Sequence, residues 1–290
     1  IQTMFGVDLH THTYISDGTL SPEQLVQAAL DLKIHTLALT DHDTMDGLSR
    51  AQTYAQDYAQ DQDIQIISGV EISSQWSRPN TQKSYGVHIV ALNMQNQAPM
   101  QTMLEQQKKV RAERAQAICA LLEKCISFDI YPEVLAQVDG QPDRVTRTHI
   151  AKALVEKKIV SRPQQAFDRF LKEGKKAFVK FDGLGLKETI EVIQASGGFA
   201  VLAHPTRYDL SATNIRYLIE LFAELGGDAV ELPPNSEPAS TRQMVDKLIE
   251  QLGLAVSIGS DFHGDNMPWI KLGNIPRVKE GQVGIWERFR

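Results

Sequence analysis

The stretch Val7-Asp8-Leu9-His10-Thr11-His12-Thr13-Tyr14-Ile15-Ser16-Asp17-Gly18 carries an apolar, β-prone lead-in (Phe5, Val7, Leu9) straight into two histidines two residues apart. Residues at that spacing on a strand share a face, so both imidazoles can grip one ion. Asp17 follows on a loop closed by Gly18, and Ser21-Pro22-Glu23 reads as a helix N-cap with proline at the first helical position. A strand therefore ends, and a helix begins, around metal-type side chains.

Working outward, the same arrangement recurs. Apolar residues at helical spacing (Leu25, Val26, Ala29, Leu32) lead to a short buried strand, Thr36–Thr40, which ends in Asp41-His42-Asp43. A helix from about Gly47 to Ala59 precedes the strand Ile64–Ser68, which ends in Gly69-Val70-Glu71, and His88 lies inside the strand Val87–Leu92. From Met94 the character changes, and about ninety residues read as helix: Met103–Lys124, Arg147–Lys157 and Gln164–Lys172. Alternation resumes with Ala177-Phe178-Val179. The strand Phe199–Ala203 then ends at His204-Pro205, and Leu254–Ile258 runs into Gly259-Ser260-Asp261-Phe262-His263. Polar residues gathered at the C-terminal ends of successive strands are what a barrel of parallel strands produces. The expectation is an α/β fold, a (β/α)7 TIM-like barrel of about seven strands over 1–93 and 177–290, with a helical insertion at 94–176. An open doubly wound sheet would converge ligands from so many strands poorly.

Composition narrows the class. With 30 Lys+Arg against 36 Asp+Glu, the net charge of −6 argues against a protein that coats nucleic acid but permits a local basic pocket. The two cysteines, Cys119 and Cys125, lie six apart in a helix with no metal-finger spacing, and read as reduced helix residues. No apolar run approaches the roughly 18 residues of a membrane span, and the N-terminus lacks a signal-peptide plan, so a cytoplasmic location with no membrane partner is expected.

Six of the eight histidines, His10, His12, His42, His88, His204 and His263, fall in or just after strands, accompanied by Asp17, Glu71 and Asp261. Nitrogen and oxygen donors without thiolate suit Mn, Zn or Fe. Nine donors exceed one tetrahedral ion, and with Glu71 able to bridge, the count implies two or three divalent metals. Such ions acidify bound water and neutralise phosphoryl charge, and no Ser or Cys elbow or triad competes with that chemistry.

His10-Thr-His12 with Ser16-Asp17-Gly18, Thr40-Asp41-His42-Asp43, Gly69-Val70-Glu71, His88, Ala203-His204-Pro205 and Gly259-Ser260-Asp261-Phe262-His263 resemble the successive motifs of the polymerase-and-histidinol-phosphatase (PHP) family of metal-dependent phosphoesterases. The insertion and its Arg147-Thr-His149-Ile-Ala151 segment resemble the bacterial TrpH branch, which includes 3′,5′-nucleotide bisphosphate phosphatase and the exoribonuclease RNase AM. The resemblance implies a distorted seven-stranded barrel, a trinuclear site, and a helical insertion that covers the active site. It assigns one metal to His10, His12, Glu71 and Asp261, a second to Asp17, His42 and His263, and a third to Glu71, His88 and His204. Asp41 or Asp43 is expected to orient His42, and Asp8 either to do the same for the first site or to take a solvated or capping role.

Basic residues of the insertion (Arg144, Arg147, His149, Lys172, Lys175, Lys176, Lys180) and Arg207 are candidates to clamp a second phosphate, with Arg147, His149 and Arg207 as the expected substrate-binding residues. His35 reads as structural, and Trp76, Trp269 and Trp286 as packing residues. The activity implied is removal of the 3′ phosphate from 3′,5′-bisphosphonucleotides, with 5′-to-3′ trimming of short RNA, and no obligate protein partner. Histidinol-phosphate phosphatase and a catalytically silent, polymerase-associated metal-binding module are the alternatives.

Overall fold

A computed structural model describes residues 6–58, 63–78 and 83–289; Phe5 and Ala59, used above, lie outside them. The elements run β1 (Val7–Asp8), α1 (Pro22–Asp31), β2 (Thr36–Ala38), α2 (Leu48–Tyr58), β3 (Gln65–Ile67), β4 (Gly69–Ser77), β5 (Ser84–Leu92), α3 (Ala98–Ile126), α4 (Tyr131–Ala136), α5 (Arg147–Glu156), α6 (Pro163–Ala166), α7 (Leu186–Ala195), β6 (Phe199–Leu202), α8 (Ala212–Glu224), β7 (Ala229–Glu231), α9 (Ala239–Leu252) and β8 (Ala255–Ser257). The chain divides into two compact units, Ile1–Thr102 with Leu184–Arg290, and Met103–Gly183.

In the first unit, parallel strands ordered β1-β2-β3 form one sheet and β4-β5-β6-β7-β8 form another. The expectation of parallel pairing throughout fails at the centre, because β5 runs antiparallel to both β4 and β6. The count also differs: the described residues hold eight strands in two sheets, and these do not close into one barrel ladder. The cause is connection length: only six residues separate Ser77 from Ser84, too few for the crossover that a parallel pair needs, so β4 and β5 pair antiparallel. Only Ser68 separates β3 from β4, and a Cβ on Gly69 would stand 2.7 Å from the Leu39 carbonyl oxygen, so the chain can pass here only as glycine. The segment expected to end at Glu71 instead continues to Ser77 and pairs with β5.

The edges of the sheets meet at isolated bridges, Thr11 with Phe262 and His42 with Glu71. Hydrogen bonds reinforce both: Leu9 N to Ile258 O at 3.0 Å, Asp261 N to His10 O at 2.8 Å, and Asp43 N to Glu71 O at 3.0 Å. The helices take their positions from ordinary amphipathic patterns. α1 starts in a Ser21–Gln24 capping box and buries Leu25, Val26, Ala29 and Leu30 against Leu37 and Leu39 of the β2 segment. Trp76 is buried and stacks on Tyr85 at 5.3 Å, in line with its packing role. Trp269 does not pack; it is 73% exposed.

The second unit builds its own core from Ile118, Cys119, Leu122, Ile130, Val134, Ile150, Leu154, Phe170 and Leu171. Ala177-Phe178-Val179 forms no strand: Ala177 N bonds Phe170 O at 3.1 Å and the segment packs on this helical core, so burial rather than edge pairing uses its apolar residues. The helix expected over Gln164–Lys172 is α6 continued by a π-helical turn at Phe167–Leu171. No helix among the described residues is long and apolar enough to cross a membrane.

Candidate metal centre

Extended backbone after β1 points His10 and His12 to one side, while Thr11 turns to the other and donates to Ala38 O at 2.7 Å. Asp17 sits on a loop fixed by Asp41, whose carboxylate accepts from Thr13 N, Thr13 Oγ1 and Ser16 Oγ, each at 2.7 Å. Asp41 therefore shapes the Asp17 loop instead of orienting His42. Asp43 accepts the Ser73 amide at 2.8 Å. Asp8 is a backbone cap, accepting Ser260 N and Gly273 N at 2.9 Å each. A Cβ on Gly259 would stand 2.3 Å from that of His10, so the β8 loop approaches closely only because it carries glycine there.

Glu71, 1% exposed, is the hub. Its Oε2 lies 3.3 Å from His10 Nε2, 3.2 Å from His12 Nε2 and 3.1 Å from His42 Nδ1. Its Oε1 lies 2.7 Å from His88 Nδ1 and 2.9 Å from His204 Nε2. The ladder explains the second group, because Glu71 pairs with Val90 and Ser73 with His88, which makes Glu71 and His88 diagonal neighbours on one face. Asp261 Oδ1 lies 3.3 Å from His12 Nε2, and Asp17 Oδ1 lies 3.5 Å from His263 Nε2 and 3.8 Å from His42 Nε2. All nine side chains thus converge. Their donor atoms form overlapping groups within 4.8 Å: His12, Asp17, His42, His263; His10, His12, Asp261; His10, Glu71, His204; and His42, Glu71, His88. His204 and Asp261 adopt φ of 28° and 57°, a left-handed backbone that non-glycine residues rarely take and that concentrates at functional sites.

The electrostatics favour positive charge at this place. Burial alone would raise the Asp17 carboxyl, yet His42, His263 and His12 hold it well below the usual range. Burial likewise opposes ionisation of Glu71 and Asp261, and the surrounding histidines still pull both down. His12 is raised to about 10 against its own burial by Asp261 and Glu71. His10 Nε2, His12 Nδ1 and Nε2, and Glu71 Oε2 are buried without a hydrogen-bond partner among the described residues. Ionised carboxylates, imidazoles and orphaned buried donor atoms fit divalent cations.

Two further side chains complete the surroundings: Glu231, which the sequence did not single out, and Arg207, expected as a phosphate clamp and found on a metal-site carboxylate. Glu231 Oε2 lies 2.6 Å from His10 Nδ1, behind the cluster. Its signal was a carboxylate in a fully buried three-residue strand. Arg207 pairs through Nη1 with Asp261 Oδ2. In the helical unit, Arg147 lies over the Phe167 ring at 5.7 Å, and His149 Nδ1 accepts Thr146 N at 3.0 Å, so His149 closes the N-terminal capping box of α5.

Comparison with known proteins gives consistent matches. The family model described as PHP domain matches residues 8–180. A 5′-3′ exoribonuclease of Haemophilus influenzae is 39% identical, covering 97% of this chain and 98% of that protein. A 3′,5′-nucleoside bisphosphate phosphatase of Chromobacterium violaceum is 33% identical, over 90% of this chain and 88% of that protein. A solved amidohydrolase from the same organism, with bound sulfate and no metal, superposes with a TM-score of 0.85 at 31% identity, covering 98% of this chain and 95% of that one.

Proposed function

This chain belongs to the PHP domain family, and from that premise we propose that it is a metal-dependent phosphoesterase that releases the 3′ phosphate of 3′,5′-bisphosphonucleotides and removes nucleotides from the 5′ end of short RNA. The observation that carries the proposal is Glu71, whose two oxygens face two different sets of histidines and so suit a carboxylate shared between ions. His10, His12, Glu71 and Asp261 would hold one ion; Asp17, His42 and His263 a second; and Glu71, His88 and His204 a third. Mn, Zn and Fe all match these donors. Bound there, divalent ions supply Lewis acidity, making water nucleophilic near neutral pH and offsetting phosphoryl charge.

The chain's own residues position and neutralise. Arg207 holds Asp261 while keeping its guanidinium partly exposed, so its remaining donors can take a phosphate oxygen. Arg147 and His149 are proposed to hold the non-reacting phosphate. In support, Arg114 is lowered by burial and then by the like charges of Arg147 and Arg111, and guanidiniums do not deprotonate near neutral pH, so this group of cations favours an anion.

The test is phosphate release from adenosine 3′,5′-bisphosphate, nucleotide release from 5′-phosphorylated short RNA, and turnover of a plain aryl phosphate, each with Mn, Zn or Fe. The bisphosphate should be turned over far faster than the aryl ester, with activity abolished by chelator and by His10→Ala. Comparable turnover of the bisphosphate and the aryl ester would sink the substrate assignment.

A further inference from the structure

We infer that Glu231 is a positioning residue of the metal centre: it takes the Nδ1 hydrogen of His10, commits the Nε2 lone pair to a cation, and makes the ion beside His10 the most tightly retained. This rests on the metal reading above.

Glu231 ends β7, whose three residues are all buried, and pairs in parallel register with Ser257 of β8. A carboxylate in such a place is strongly disfavoured unless it finds a partner. Its partner is His10, at 2.6 Å. A neutral imidazole carries one N–H and one lone pair, so an acceptor at Nδ1 leaves the lone pair on Nε2. That nitrogen faces Glu71 Oε2 at 3.3 Å and Asp261 Oδ1 at 3.4 Å. No step depends on a change of protonation at Glu231.

The other five histidines lack this support. Among the described residues, none holds a carboxylate at hydrogen-bond distance on a nitrogen turned away from the cluster. His263 Nδ1 meets a backbone carbonyl, that of Asp261 at 2.8 Å, and His12 Nδ1 and His204 Nδ1 are buried without a hydrogen-bond partner. His10 is thus the best-oriented ligand, and the place it shares with His12 and Asp261 has carboxylates on both sides, Glu71 and Asp261 in front and Glu231 behind.

The experiment is titration of Mn2+ into chelator-stripped protein, followed by calorimetry and by the electron paramagnetic resonance of free Mn2+, for wild type, Glu231→Ala and Glu231→Gln. Thermal unfolding of each stripped protein checks that it is folded; Glu231→Leu, which fills the same space, replaces Glu231→Ala if that variant does not fold. The tightest class of sites should weaken by about 10- to 100-fold in Glu231→Ala, as expected for loss of a residue that orients a ligand. Weaker classes should stay unchanged, and Glu231→Gln, whose amide oxygen still accepts from Nδ1, should recover most of the loss. Equal binding by wild type and Glu231→Ala, a loss confined to the weaker classes, or a loss in Glu231→Gln as large as in Glu231→Ala would overturn the inference. Stripped wild type that binds no Mn2+ would instead overturn the metal reading beneath it.

Discussion

Replacing Asp8 with alanine should separate two parts of the chain that are far apart in sequence. Asp8 is fully buried; its Oδ1 accepts the Ser260 amide and its Oδ2 the Gly273 amide, each at 2.9 Å, with a longer bond of 3.4 Å from His10 N. Each short bond to a charged acceptor contributes about 1.5–3 kcal/mol, so stranding both amides costs about 3–6 kcal/mol. Burial raises the pKa of this carboxyl, which means that its charge carries a desolvation cost that alanine removes; the net loss is then about 2–4 kcal/mol. At roughly 2–4 °C per kcal/mol for chains of this order of size, the midpoint of thermal unfolding should fall by about 4–16 °C. Scanning calorimetry of chelator-stripped protein measures this directly, free of any contribution from bound metal. Asp8→Asn should fall in between, because its amide satisfies one backbone donor and opposes the other. An alanine variant melting within about 1 °C of wild type would refute the reasoning, since two buried amides cannot lose a charged acceptor at so little cost.

Glu71→Gln removes the shared charge from five histidines, and turnover of adenosine 3′,5′-bisphosphate should drop by more than about 100-fold, the upper range for merely orienting residues; elemental analysis should show fewer Mn2+ per chain. Hydrogen bonds from Arg50 depress Glu23 to about 2 from 4.5. A depressed carboxyl stabilises above its unfolded pKa and loses that effect as pH falls through its folded value. The pair is about a third exposed, so it contributes only about 1 kcal/mol. The advantage of wild type over Arg50→Ala in thermal midpoint should therefore shrink from pH 6 to pH 3. Burial pushes the Cys119 thiol up to about 12, so at pH 8 an aromatic disulfide reagent should titrate Cys125 in the native protein and Cys119 only in guanidinium.

The candidate site was legible because its donors sit at strand ends, where polar residues after short apolar runs stand out: His10 and His12, His42, His204, and Asp261 with His263 all converge as the spacing suggested. Pairing direction was not legible. The apolar residues of β5 (Val87, Ile89, Val90, Leu92) fit a parallel or an antiparallel neighbour equally well, and the direction follows from the six residues between Ser77 and Ser84, a constraint that exists only because β4 runs on past Glu71. Asp41 reads as a histidine support because it is adjacent in sequence, yet three donors of the Asp17 loop claim its oxygens. Glu231 carries no such signal, because one acidic residue in three gives no periodicity and its partner lies 221 positions away. Trp269 shows the same limit from the other side, since aromatic character predicts burial only on average.

The seam between the two sheets also orders events in time. Among the described strands β1 comes first along the chain and β8 last, yet β1 has β2 on one side and the β8 loop on the other, the Asp8–Ser260 bond spanning 252 residues. Until that distant segment has been synthesised, one edge of the first strand stays open and its histidines remain without their acidic companions. Loop closure over such a span is slow, and an unpaired strand edge is a template for association with other chains. Nascent or truncated polypeptides lacking the region beyond Leu254 should therefore be the aggregation-prone species, and a cation that ties His10 and His12 to Asp261 would act as a late latch on folding as well as a reagent.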